Sequence, residues 1–194
     1  MEALRRGEEW DDKPRDWTPY YRWLEPRLHV AGRWAVIPDM PGAPSQLNDS
    51  LLADWPYGTK LGVPLWHMDG PLDRLGRLCE RYDTVALGWI GDPKREPVGC
   101  DRYQRRMDEV ARLFGNRWPN THMMRGIKVA FDYPFISADA TSLAQNGHRY
   151  DSPIDTACGD QWRGRRAYAD KLERRRPEHH RSYRRDRVVE RETL

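Results

Sequence analysis

Cysteine is scarce in this chain: 194 residues contain three, Cys79, Cys100 and Cys158, widely spaced and with no C-x-x-C pair. Such usage argues against a disulfide framework and a structural zinc site, and it points to a reducing compartment. Long apolar runs are missing as well. None approaches the roughly 20 residues that a membrane-spanning helix needs, and the charged stretch from Met1 to Gly7 is unlike a signal peptide. The expectation is a soluble cytoplasmic protein with no membrane partner. Phenylalanine is rare, at three residues, but nine Trp and nine Tyr supply large rings for a core. Apolar residues make up 38% of the chain and mean hydropathy is −0.95, so polar residues must be concentrated somewhere. Residues 160–194 hold 12 Lys and Arg against 7 Asp and Glu, which leaves the rest of the chain slightly acidic although the total is +3. The length fits one ordinary domain. We therefore expect an α/β domain over residues 1–159 and an Arg-rich tail, helical or disordered, over 160–194.

Residues 8–30 are rich in Trp, Tyr and charge, and Trp17, Tyr20, Tyr21 and Leu24 fall at helical spacing despite Pro19. This predicts a short amphipathic helix, entered after Asp16, that lies on the main body. From Arg33 onward a strand-then-helix rhythm takes over. WAVIP (34–38), GVPLW (62–66), TVALG (84–88), HMMR (122–125) and the run Tyr133 to Ala138 read as short buried strands. Between them, Leu47, Leu51 and Leu52 make one helical face; Leu72, Leu75, Leu78 and Cys79 a second; Met107, Val110, Ala111 and Phe114 a third, ended by Gly115. Alternation of this kind implies parallel βαβ units. Five strands leave the architecture open between a doubly wound sheet and part of a (β/α)8 barrel.

In either arrangement ligands bind at the carboxyl ends of the strands, and polar residues gather there in the sequence. Asp39 follows WAVIP, His67 and Asp69 follow GVPLW, Gly88 closes TVALG, Arg125 and Gly126 follow HMMR, and Asp139 follows the last run. Asp39 alone would suit a helix cap or an Asx-turn, whereas beside Asp139 it could read the N–H groups of a guanine-like base. His67 could bond a base carbonyl or move a proton, and a satisfied rim histidine is the alternative. Gly88 would let a flat ligand approach the backbone, or simply make a tight turn. Met123 and Met124 could sandwich a purine, although methionine on a buried strand is commonly packing. His122 reads as structural. His179 and His180 lack a third ligand at useful spacing, so no metal is expected.

The stretch FISADATSLAQNGH (135–148) delivers Asp139 into a loop of small and amide-bearing residues, including Asn146, that cannot build a core. Downstream, Arg163, Arg165, Arg166, Arg174, Arg175 and Arg176 alternate with aromatic residues. Guanidinium forks match phosphate oxygens, so the tail suits nucleic acid, an acidic protein surface being the alternative.

Taken in order, these segments resemble the tRNA-guanine transglycosylase superfamily, and more closely its DNA-modifying branch, the DpdA-type deazaguanine transglycosylases of phages. The resemblance covers about residues 33–150. Asp39 resembles the base-recognising aspartate, and Gly62 to Gly70 the segment holding a base-contacting glutamine, with His67 near that place. Tyr82 to Gly88 resembles an F-D-G-Y-A-x-G-G strand, and Thr121 to Gly126 an R-Y-L-M-G-V-G strand. Leu143 to His148 resembles the Asn-Ala-Arg-Asn-Gly-His run that follows the nucleophile, which places Asp139 in the nucleophile's role.

The resemblance implies a TIM-type (β/α) barrel that exchanges guanine in DNA for a 7-deazaguanine base, such as 7-cyano-7-deazaguanine, through a covalent aspartyl-glycosyl intermediate. Site residues implied with it are Asp139 as nucleophile and Asp39, His67, Gly88, Met124 and Asn146 around the base; no cofactor is expected. Two departures qualify it. The tRNA enzymes carry a C-x-C-x-x-C…H zinc subdomain after the nucleophile, but here only Cys158 follows, so DNA is favoured over tRNA. The family's upstream strand with a general acid/base aspartate is also lacking, which implies an internal start or a barrel incomplete at its N-terminus. A catalytically inactive nucleic-acid-binding module that uses the base pocket and the tail is the rival expectation, and a tRNA enzyme is another.

Overall fold

The computed structural model describes residues 15–140. These form a mixed α/β structure with four α-helices and parallel strand pairs, and the chain divides between Ile90 and Gly91 into two compact units.

The first unit opens with helix α1 (Thr18–Leu28), whose entry is set by the Asp16 carboxylate accepting the Thr18 N–H at 2.9 Å. Pro19 lies in the first turn, where its missing N–H costs nothing. Pro26 removes a donor near the other end, and the helix stops two residues later. The helix lies on the unit as expected. Leu24 and Leu28 are buried, the Tyr20 hydroxyl donates to the Val36 carbonyl at 2.8 Å, and the Tyr21 ring meets Trp55 and Tyr57 edge-on.

Strand β1 (Ala35–Val36) leads to helix α2 (Ser45–Ala53), then β2 (Gly62–Val63) and β3 (Leu65–His67), helix α3 (Leu72–Arg81) and β4 (Val85–Gly88). β2 and β3 are one extended stretch interrupted at Pro64, which has no N–H to give to a ladder. β1 pairs parallel with β2, Ala35 opposite Gly62; β4 pairs parallel with β3, Leu65 opposite Ala86. Strand neighbours thus follow sequence order without reversal, each connection carrying a helix. Ile37, Val63, Trp66, Met68, Leu75, Val85, Ala86 and Leu87 fill the core. Gly62 is required by packing, because a Cβ there would overlap the Trp55 indole nitrogen and sit 2.9 Å from Ile37 Cδ1.

One helical face differs from the expectation. On α2, Leu52 is buried but Leu47 is exposed, and Asn48 points inward in its place. The cause is polar: the Asn48 amide holds the backbone of Met40, which hydropathy cannot register.

In the second unit, helix α4 (Asp101–Phe114) buries Tyr103, Met107, Val110 and Ala111 and closes at Gly115 with φ +52°. Strand β5 (Thr121–Met124), a 3₁₀ turn (Ile127–Val129) and strand β6 (Ser137–Ala138) follow, and β5 pairs parallel with β6, His122 opposite Ser137. Both strands are shifted from the expected runs for backbone reasons. Arg125 has φ +54°, which ends β5 at Met124. Around Pro134 the Phe135 N–H bonds the Tyr133 carbonyl, a three-residue turn that keeps residues 133–136 out of β6.

Candidate functional site

Within the first unit, the carboxyl ends of neighbouring strands bring Asp39 and His67 together. The His67 Nε2 lies 2.9 Å from Asp39 Oδ2, and the two side chains are 14% and 22% exposed, open enough to be reached from solvent. An ionised carboxylate only accepts, so with Asp39 charged the shared proton sits on Nε2, and a neutral ring keeps Nδ1 as an acceptor. Asp39 Oδ1 is not part of that bond. The pair therefore offers an acceptor oxygen and an imidazole at one strand edge, a combination able to receive N–H donors and to take up a proton.

Two adjacent residues of α2 fix the backbones that carry this pair. Asn48, 4% exposed, accepts the Met40 N–H through Oδ1 at 2.8 Å and donates from Nδ2 to the Met40 carbonyl at 3.3 Å. Asp49 accepts from the buried Arg74 at 2.9 Å, and Arg74 in turn donates to the Leu65 carbonyl at 3.3 Å. The first grip acts one residue beyond Asp39, the second two residues before His67. Hydropathy overlooks both, although Asn-Asp in the middle of a helix is a signal that a polar contact is being made.

Gly88 stands opposite His67 in the β3–β4 register, and a Cβ there would meet Leu65 Cδ1 at 3.1 Å. Close packing against Leu65 accounts for the glycine, and no positive φ is involved. Asp69 is exposed within a turn closed by the Gly70 N–H and the His67 carbonyl at 2.8 Å.

In the second unit, Asp139 extends the parallel ladder one step past β6, its N–H donating to the Met123 carbonyl at 3.2 Å. Its carboxylate turns back and accepts the N–H of Arg125 through Oδ1. One oxygen thus stabilises the left-handed turn at Arg125, a conformation that costs a non-glycine residue about 1–2 kcal/mol. His122, on the neighbouring strand, bonds Ser137 Oγ through Nδ1 at 2.8 Å. Burial pushes the His122 pKa below the usual histidine value, and the Asp139 charge opposes that push. Strand alternation puts Met123 on the other face, where it is fully buried and meets the Tyr103 hydroxyl through sulfur at 3.5 Å. Met123 is thus a packing residue, whereas Met124 is half-buried on the His122 side.

Asn146 and the arginines Arg163, Arg165, Arg166, Arg174, Arg175 and Arg176 lie outside the described residues. Among the described residues no three His, Cys, Asp or Glu side chains group to hold a metal, and no helix is long and apolar enough to cross a membrane. Burial and the neighbouring Glu80 push the Cys79 thiol up to about 12, so it is no thiolate at neutral pH. The fold and these strand ends define an α/β protein with acidic groups at the carboxyl ends of parallel strands. Comparisons of the chain with protein-family models, curated proteins and solved structures return no match.

Proposed function

We propose that the chain is a transglycosylase-like enzyme that exchanges guanine in DNA for a 7-deazaguanine base on a TIM-type barrel. The observation that carries this reading is the position of Asp39 and Asp139, each within three residues beyond the carboxyl end of a parallel strand in its own unit, where α/β proteins bind ligands. Strand neighbours in sequence order within the first unit support the barrel, since a doubly wound sheet needs a reversal.

In this reading Asp39 reads the base, using Oδ2 for His67 and Oδ1 for the N1–H and exocyclic amine of guanine. Asp139 makes the bond. Asp139 Oδ2 attacks the anomeric carbon, the glycosidic electron pair leaves with guanine, and guanine takes up a proton. An incoming deazaguanine gives up its N9 proton, attacks the same carbon and releases the carboxylate, so configuration is retained. The base must be extruded from a duplex, or the substrate single-stranded, for that carbon to be reached. The hydrogen bond from Arg125 favours a second reading, in which Asp139 only holds the turn and the chain is an inactive nucleic-acid-binding module.

Asp139→Asn separates the two, because the amide oxygen still accepts the Arg125 N–H but has no nucleophilic charge. Guanine-containing single-stranded DNA is incubated with the full chain in the absence of incoming base and resolved on denaturing gels. We expect a DNA–protein adduct with the native chain and none with Asp139→Asn, with DNA and tRNA compared in parallel. DNA binding without any adduct in the native chain supports the inactive module and ends the enzymatic reading.

A further inference from the structure

Helix α1 turns Leu24 and Leu28 inward and leaves its other side in solvent, with Trp23 55% exposed. The Arg27 guanidinium lies 4.4 Å from the centroid of the Trp23 ring and donates to the Trp23 carbonyl at 2.6 Å. Past the helix the chain folds back. The Arg33 N–H bonds the Val30 carbonyl at 3.2 Å and its side chain reaches the Arg27 carbonyl at 3.4 Å. This turn brings Val30, 49% exposed, and Trp34, 36% exposed, to the end of the helix that carries Arg27. Arg22 is exposed too, and Glu25 is the one acidic residue between positions 22 and 34.

We propose that this surface binds single-stranded nucleic acid, with bases stacking on the Trp23–Arg27 pair and on Trp34 while Arg22 and Arg33 meet phosphates. Large exposed rings interleaved with guanidinium groups are the pattern such strands use, because every base has a face to stack and every link a charge to neutralise. A guanidinium already stacked on indole presents a second flat face at little further ordering cost. The alternative of an anionic membrane suits the surface less well: the helix spends its aliphatic stripe on the protein core, so a bilayer would receive three exposed apolar side chains and no continuous apolar face. The surface lies wholly within the first unit and requires nothing of the exchange chemistry.

The test uses the full chain and a fluorescein-labelled dT oligonucleotide, read by anisotropy with no incoming base present. Trp23→Ala is expected to weaken binding about tenfold, as loss of one stacking partner does, and Trp23→Phe to keep most of the affinity. Arg22→Ala is expected to lower the slope of log affinity against log salt by about 0.7, one phosphate's worth for a single strand. Because Trp23 is exposed, thermal melts of these variants should match the native chain. Unchanged oligonucleotide affinity in Trp23→Ala overturns the proposal, as does Trp23-dependent binding to phosphatidylserine vesicles that equals or exceeds the binding to dT. Guanine exchange can fail with this binding intact, so the two ideas stand or fall separately.

Discussion

Asp39 and Asp139 occupy comparable places, three residues past β1 and one past β6, yet their carboxylates have different company. In the first unit the partner is an imidazole, 2.9 Å away, whose second ring nitrogen lets it pass a proton. In the second unit the partner is the backbone N–H of Arg125, which cannot. A strand end therefore determines where a carboxylate stands, and the neighbouring loop determines what it can do. The imidazole partner suits recognition coupled to proton movement. The backbone partner holds one oxygen still, leaving the other to be aimed.

The largest effect that would test this contrast lies behind the first pair. Asn48→Ala removes both contacts to Met40 and leaves a buried N–H and a buried carbonyl without that partner. The expected loss is about 2 kcal/mol, seen as a melt lowered by roughly 4–8 °C. His67 should report it independently, since loosening Asp39 changes the imidazole environment followed by histidine proton NMR across pH. A normal melt with an unaltered His67 titration would show that α2 does not position the pair.

Asp139 should respond differently. Asp139→Ala removes the acceptor from an exposed turn, for which about 1 kcal/mol is expected. Asp139→Asn should melt within a few tenths of a kcal/mol of the native chain, because an amide oxygen can take the same N–H. Equal destabilisation by both substitutions would mean that the negative charge itself, and not the acceptor, holds the Arg125 turn, and the contrast with Asp39 would lose its basis.

Much of this frame was legible from the chain alone, and what was not has identifiable causes. All five apolar runs contain strands, because short buried parallel strands are nearly continuous in hydrophobicity, and Asp39, His67 and Asp139 stand one step past three of those runs. The strand limits went wrong at Arg125 and Pro134, where a positive φ and a missing donor act on the backbone without altering hydropathy. Leu47 was assigned inward and Asn48 passed over for a related reason: a buried amide that satisfies a loop looks, in a sequence, like any polar surface residue. Gly88 suits, from the sequence, either a flat ligand's approach or a tight turn, whereas the space its missing side chain leaves is taken by Leu65, which lies 23 residues upstream and pairs with Ala86 on the neighbouring strand.

The two histidines extend the contrast into pH. His67 faces a carboxylate, but His122 is buried against Ser137 and its pKa is pushed below the ordinary 6.5 by desolvation, with Asp139 pulling the other way. A histidine that resists protonation when folded takes up more protons when unfolded. Its contribution is therefore complete above the unfolded pKa near 6.5, declines as pH falls from there toward the folded value, and is constant below it. Melts of the native chain and of His122→Gln between pH 8 and pH 5 should show this. The native advantage should shrink as the medium is acidified through 6.5, the glutamine having no proton to gain. An advantage that stays constant across the range would mean that His122 is already as easily protonated in the fold as in the open chain. In that case the Asp139 charge balances burial, and the second unit, like the first, would couple a carboxylate to an imidazole.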